Sequence, residues 1–560
     1  MPRTVLTVAA CAALAPLVSA QSLLFEVVGT QTGAEFGLPL VSIDDIDGDG
    51  VRDLVTSAPF VNAPTGEQGE VFALSGGTGA LLWSRIGDMD FDGYGSDIAL
   101  VDDADQDGID DLAVVDNAFP LPPTLSTIEI LSAATGAVLS TIVAPSVTNQ
   151  FVAPVAVPDA DGDGRRDLLV GVLRQEPDVN QVRLYSTGTG LELQRWFGQE
   201  SLDGFGRAIA LADDLDGDGA EDYAFAAERR DVQGAVNVGV VELVSSSTGA
   251  VLRTIEGPLD DYALFGIAVT SFRDIDGDGV RELAIANSPQ LFASDPASEV
   301  ALVSPVTGAV LDRIAGGAPL GARYALTVIS DYDSDGVEDL LVGAPDASVL
   351  AVNGGAIRVV SGATFLDIGR FDGDSPGTFL GIAATPTGDV DGDGVQDFAA
   401  SGPGRQGFVG RVFGLTSPDA PLYTYCEDGP PANSTGTQGS IGSSGTTSLA
   451  ANDLMLTAER LPLQSFGYFI VGDVPNTLTP PGGGPFLCIA GTVGRLIGPG
   501  QVVSSGATGA VAVDVDLLAI PTPAGPVAAQ PGETLYFQYW HRDLGSTSAL
   551  SNALGAVVVP

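Results

Sequence analysis

A nine-residue phrase, Asp-x-Asp-x-Asp-Gly-x-x-Asp/Glu, occurs seven times in the 560-residue chain, starting at Asp45, Asp103, Asp159, Asp214, Asp274, Asp331 and Asp389. Successive starts lie 58, 56, 55, 60, 57 and 58 residues apart. A fixed period of this length marks a repeat architecture, in which each unit buries its apolar face only by stacking on its neighbours. The phrase also sets an electrostatic problem, because four carboxylates within nine residues repel one another unless a counter-charge sits among them.

A hard cation answers that problem. Ca²⁺ takes about six to eight oxygen ligands, and a tight loop offers them from positions 1, 3 and 5, the backbone carbonyl of position 7, and a later carboxylate. The Gly kept at position 6 allows the turn that wraps the chain around the ion. The first copy thus offers Asp45, Asp47, Asp49, Val51 through its carbonyl, and Asp53. The second offers Asp103, Asp105, Asp107, Ile109 and Asp111, and the third Asp159, Asp161, Asp163, Arg165 and Asp167. The fourth and fifth offer Asp214, Asp216, Asp218, Ala220, Asp222, and Asp274, Asp276, Asp278, Val280, Glu282. The last two offer Asp331, Asp333, Asp335, Val337, Asp339, and Asp389, Asp391, Asp393, Val395, Asp397. About seven Ca²⁺ ions are expected. The loop is not an EF-hand, which needs a bidentate Glu at position 12 and flanking helices. Here position 12 falls on Thr56, Val114, Val170, Phe225, Ile285, Val342 and Ala400, inside short apolar runs that read as strands.

One repeat is legible from Phe205 to Pro258: a strand, the acidic loop, a second strand "DYAFAAE", a third "GVVELVSSS", a Thr248-Gly249 turn and a fourth "AVLRTIEG". The turn recurs as Thr78-Gly79, Thr135-Gly136, Thr189-Gly190 and Thr307-Gly308, giving way to Thr364-Phe365 and Pro418-Asp419 in the last two repeats. Four antiparallel strands per repeat, seven times over, predict an all-β, seven-bladed β-propeller with a calcium loop in each blade. The run "SLLFEVVGT" (22–30) reads like a fourth strand without its own blade. It is expected to close the ring by pairing, over Leu23 to Val28, with the strand around Arg411 to Leu415; the alternative occupant is "PLYTY" (421–425). The acidic stretch from Gly87 to Asp97 mimics an eighth loop but has Ser96 at the ninth position, and reads as a linker between blades.

Aromatic-Gly pairs precede several loops (Phe36-Gly37, Tyr94-Gly95, Phe205-Gly206, Phe265-Gly266), and "SAP", "GAP" and "SGP" end the strands that follow at Ser57, Gly343 and Ser401. With the acidic loops, these residues resemble the FG-GAP repeat, the blade of the integrin α-subunit head and of many secreted bacterial proteins. The resemblance covers about residues 22–425. Three repeats depart from it, with Phe151-Val152, Tyr324-Ala325 and Phe379-Leu380 in place of the pair. It implies a metal-stabilised scaffold for adhesion or recognition.

The N-terminus, residues 1–20, reads as a secretory signal peptide: one Arg, an apolar run and small residues before a cut after Ala20. Val8 to Cys11 resembles a lipoprotein acylation box but comes early in the apolar run. The organisation expected is signal peptide 1–20, propeller 21–425, a Gly/Ser/Thr-rich linker 426–449, and a small sandwich-like β-domain 450–560. That C-terminal domain is similar in texture to β-domains attached to secreted bacterial repeat proteins. In an exported chain, Cys426 and Cys488 are expected to form a disulfide, contributing about 4 kcal/mol by the chain-entropy argument.

Composition narrows the partners. The formal charge is −49, all 23 basic residues are Arg, and seven divalent ions would leave the charge near about −35. Such a surface repels nucleic acid and anionic lipid, so neither is an expected partner, nor is direct membrane insertion. Catalysis has little to work with: one His, His541, no Lys, and no G-x-S-x-G elbow. Trp83 and Trp196 fall in fourth-strand runs and are expected to pack blade on blade rather than stack on sugars. The reading is a secreted or cell-surface, monomeric, non-enzymatic calcium-binding propeller that recognises a protein or glycan in cell adhesion. The alternatives are a calcium-dependent polysaccharide lyase or hydrolase, and a structural component of the cell envelope or matrix.

Overall fold

The computed structural model describes residues 7–9 and 23–558, apart from 64–65, 88–91, 119–124, 147–148, 175–178, 288–297, 316–324, 333–335, 346, 348–350, 374, 391–394, 405–408, 416–421, 426–432, 435–438, 445–446, 448, 450–451, 453, 476–486, 531–533 and 544–547. No helix occurs among them. Among the described residues, six four-stranded antiparallel sheets and one of five strands follow the repeat, arranged as the blades of a β-propeller. Blade 4 is typical: Ile209–Ala212, Asp222–Ala227, Val240–Val244 and Val251–Glu256, paired in chain order. Its second and third strands are wholly buried, which is why they read as unbroken apolar runs, whereas the fourth alternates towards solvent. The first strands of successive blades lie against one another in a complete ring, Ala383–Gly388 of blade 7 meeting Leu40–Ser42 of blade 1.

Leu23–Thr32 supplies the fourth strand of blade 7. It runs antiparallel to Val409–Leu415, with Leu23 opposite Leu415 and Val28 opposite Arg411. The alternative occupant goes elsewhere: Leu422–Tyr425 pairs with Ser548–Val557 of the C-terminal region. Thr7–Ala9, inside the segment read as a signal peptide, adds a fifth strand to blade 7 by pairing with Glu26–Val28; most of that segment, Cys11 included, lies outside the described residues. An open sheet edge accepts any extended apolar run in this way.

The C-terminal region is two packed sheets. One contains Leu422–Tyr425, Ser548–Val557, Thr534–Arg542 and Phe466–Gly472; the other contains Ser440–Ser444, Met455–Glu459 and Val511–Asp514. Phe469, Phe537, Tyr539 and Leu554 from the first meet Ile441, Leu456 and Val513 from the second in a single core. Within 426–449, which composition reads as a flexible linker, Ser440–Ser444 is thus a strand with a full partner in Met455–Glu459. Tyr536 packs against the cluster of Phe413 and Leu415, joining this region to blade 7.

Candidate metal centre

Each acidic loop leaves the first strand of its blade and returns into the second. The Gly at position 6 has φ between 87° (Gly164) and 94° (Gly219) in the six loops where it is described. A methyl group on any of these glycines would meet no atom within 4 Å. Glycine is therefore required for its left-handed backbone and not for space. The turn aims the Gly N–H inward, where Oδ2 of the position-1 carboxylate accepts it at 2.7–2.9 Å in those six loops. This bond, from Gly50 and Gly164 respectively, is the main reason the carboxyls of Asp45 and Asp159 sit below the ordinary Asp range.

Position 9 is the opposite case. Asp53, Asp111, Asp167, Asp222, Glu282, Asp339 and Asp397 are fully buried. In all seven loops one oxygen of this side chain accepts the backbone N–H of position 2, at 2.6–2.8 Å. In four, the other oxygen accepts an N–H from the hairpin between third and fourth strands: Gly76, Ala133, Ser246 and Gly362 donate to Asp53, Asp111, Asp222 and Asp339. The remaining buried oxygens on Asp167 (Oδ1) and Glu282 (Oε1) have no partner. Burial raises the carboxyls of Asp53, Asp111, Asp222 and Glu282 above their ordinary values, and pushes Asp167 up to about 6.

The predicted ligands converge. Oxygens of Asp45, Asp47 and Asp53 lie within 4.8 Å of one another, as do those of Asp159, Asp161, Asp167 and of Asp274, Asp276, Glu282. In blades 2 and 4 the group is instead positions 1, 3 and 5: Asp103, Asp105, Asp107 and Asp214, Asp216, Asp218. Asp49, Asp163 and Asp278 lie outside the tight groups of their loops but accept the N–H of position 7, from Val51, Arg165 and Val280. Asp333, Asp335, Asp391 and Asp393 lie outside the described residues. In blades 3 and 5 a buried oxygen without a proton donor lies beside two solvent-accessible carboxylates, an arrangement that fits a cation. An all-oxygen set of this kind suits a hard ion such as Ca²⁺.

One set of residues is not foreseen by the motif. The residue just before it carries a carboxylate in three blades, and each reaches the next blade's loop. Asp44 accepts the N–H of Asp110 at 3.5 Å, Asp102 that of Arg166 at 2.5 Å, and Asp213 that of Arg281 at 2.7 Å. The acceptor lies one position outside the repeated phrase, and Pro158 stands there in blade 3, so the pattern is broken in the sequence.

The other singled-out residues are structural. Trp83 donates its indole N–H to the Ala133 carbonyl of blade 2 (2.8 Å), and Trp196 packs edge-on against Tyr223 and Phe225 of blade 4. His541 is buried in a strand of the C-terminal region. Cys488 is buried and disulfide-bonded; Cys426 lies outside the described residues. Of the eighth acidic stretch, the part from Asp92 onward is strand, paired with Asp111–Ala118.

Comparison with known proteins agrees with this architecture. Residues 40–74, blade 1 up to its third strand, match the FG-GAP repeat family. The chain is 34% identical to integrin alpha-4 of Xenopus laevis over 159 residues, 26% of this chain and 15% of that protein. It is 30% identical to integrin alpha-V of Gallus gallus over 222 residues, and 29% to integrin alpha-IIb of Homo sapiens over 226 residues; each match covers 37% of this chain and 21% of the relative. The matched stretch is thus about a fifth or less of each relative's own length.

Proposed function

We propose that this chain, which carries the integrin-α-like FG-GAP repeat, is an extracellular recognition module whose propeller is set by Ca²⁺ in its blade loops and binds a protein or glycan ligand. The observation that carries the reading is the convergence, in blades 1, 3 and 5, of solvent-accessible carboxylates at positions 1 and 3 with a buried one at position 9. The ion would be held by the carboxylates of each loop and the carbonyl of position 7, and would supply the positive charge that four crowded carboxylates lack. The chain's own part is positional. The buried carboxylate ties the loop to its blade, and in four blades to the following hairpin as well, while the ion would hold the crowded carboxylates of the loop together.

Recognition is favoured over catalysis by the single His, which is buried in the C-terminal core with neither ring nitrogen hydrogen-bonded. It offers no exposed base. The test is a screen of the whole chain against a glycan array and a panel of immobilised extracellular proteins, with and without Ca²⁺. Calcium-dependent binding is expected. Cleavage of an arrayed polysaccharide would replace this reading with the lyase or hydrolase one.

A further inference from the structure

We propose that the blade loops are not equivalent and that blades 3 and 5 hold the two tightest ions. The inference rests on the calcium reading above and ranks sites that the reading treats alike. In blades 1, 2, 4 and 6 the buried position-9 carboxylate has both oxygens occupied, one by the loop and one by the hairpin N–H of Gly76, Ala133, Ser246 or Gly362. In blades 3 and 5 the second oxygen is bare, and both side chains are fully buried.

The sequence explains blade 5. The donor in the other hairpins is the residue after a serine: Ser75-Gly76, Ser132-Ala133, Ser245-Ser246, Ser361-Gly362. Blade 5 has Ser304-Pro305, and proline has no N–H to give. In blade 3 the position is Thr187, whose hydroxyl donates to the Arg166 carbonyl at 2.6 Å, while Asp167 Oδ1 is left unmatched. A buried carboxylate oxygen without a partner is costly. An ion removes that cost only where it exists. Where a hairpin N–H already occupies the oxygen, the ion must share a charge-assisted bond. The grouping of ligand atoms agrees in part. Asp167 and Glu282 lie within the tight trios of their loops, whereas Asp111 and Asp222, both doubly bonded, do not; Asp53 is doubly bonded yet belongs to its trio.

The test is a Ca²⁺ titration of the decalcified whole chain by isothermal calorimetry, with bound metal counted by elemental analysis. Two ions are expected to bind about tenfold or more tightly than the others, the difference a charged hydrogen bond makes. Asp167→Asn and Glu282→Gln should each remove one tight ion, and Asp111→Asn should remove a weaker one. Pro305→Ala returns an N–H to the blade 5 hairpin and should move one ion from the tight class to the weak class without changing the total. Pro305 is buried at the start of the hairpin, so a far-UV melt of the variant checks that it folds as the parent does. A single class of equal sites, or tight ions unmoved by Glu282→Gln and Pro305→Ala, overturns the ranking while leaving calcium binding in place. No bound metal at all overturns both.

Discussion

Glu26 forms an ion pair with Arg411, 385 positions further along the chain. The pair sits in the ladder through which the N-terminal strand completes blade 7. Without that strand, Val409–Leu415 would present an unpaired edge, and the first and last repeats would be joined by inner contacts alone. Phe25 is the anchor of the closure. It is 2% exposed, and its ring covers both Gly79 of blade 1 and Gly414 of blade 7. Phe25→Ala should cost about 3–5 kcal/mol, against under about 1 kcal/mol for Leu139→Ala on the exposed fourth strand of blade 2. Denaturant unfolding in excess Ca²⁺ measures both. Equal small losses would mean that the ring does not depend on its N-terminal strand.

Much of this was readable in the sequence because each signal is repeated. Seven copies of one loop mark the carboxylates that the fold brings together in blades 1 to 5, and the likeness of Leu23–Val28 to other fourth strands gives away the closure before any contact is known. The links between units are different. Asp44, Asp102 and Asp213 act on the next blade, and their role depends on a neighbour about 60 residues away. Ser440–Ser444 hides for another reason: a polar Gly/Ser run has no apolar alternation, and it becomes a strand because Met455–Glu459 offers it a ladder.

The Thr-Gly hairpins give a second prediction, since their glycines answer two demands. Gly79 has φ 70°, and a methyl group there would lie 2.6 Å from Phe25 Cδ2 and 2.8 Å from Val27 Cγ2. Gly136 meets Trp83 of the preceding blade in the same way, and Gly249 meets Gln194 and Trp196. Gly219 has φ 94° and open space. Gly219→Ala should therefore cost only the left-handed backbone term, about 1–2 kcal/mol. Gly79→Ala adds a clash with the previous blade and should cost clearly more. Thermal melts in saturating Ca²⁺ give the order; the reverse order would refute the packing account.

Metal removal should loosen every loop at once. An ion that binds only the folded state contributes about 1.4 kcal/mol per site at tenfold saturation, so seven sites approach on the order of 10 kcal/mol as an upper limit. That is comparable with the whole stability of an ordinary domain. The chelated protein should melt far below the calcium-loaded one, and Mg²⁺ should restore little, because it prefers a rigid octahedral shell with retained water. A chelated melting temperature within a few degrees of the loaded one would show that the loops stand without an ion.

The last prediction concerns a carboxyl away from the metal loops. Glu228 follows the second strand of blade 4 and is buried, with Oε2 unpartnered against the Gly204 backbone. Its other oxygen faces the Nε atoms of Arg207 and Arg229 at 3.4 and 3.6 Å, too long for strong bonds. Burial is the largest influence and raises this group from 4.5 to about 7, outweighing the lowering by Arg207. The sign follows from linkage. Between those two values the folded state binds the proton and the unfolded state does not, so the stability it contributes is complete below about pH 4.5 and is lost as pH rises through about 7. Glu228→Gln removes the ionisation and keeps the shape. In saturating Ca²⁺, the parent should lose stability between about pH 4.5 and 7 relative to the variant, whose profile should be flatter and higher at pH 8, by on the order of 1 kcal/mol. Parallel profiles would show that Glu228 is ionised and adequately paired throughout that range.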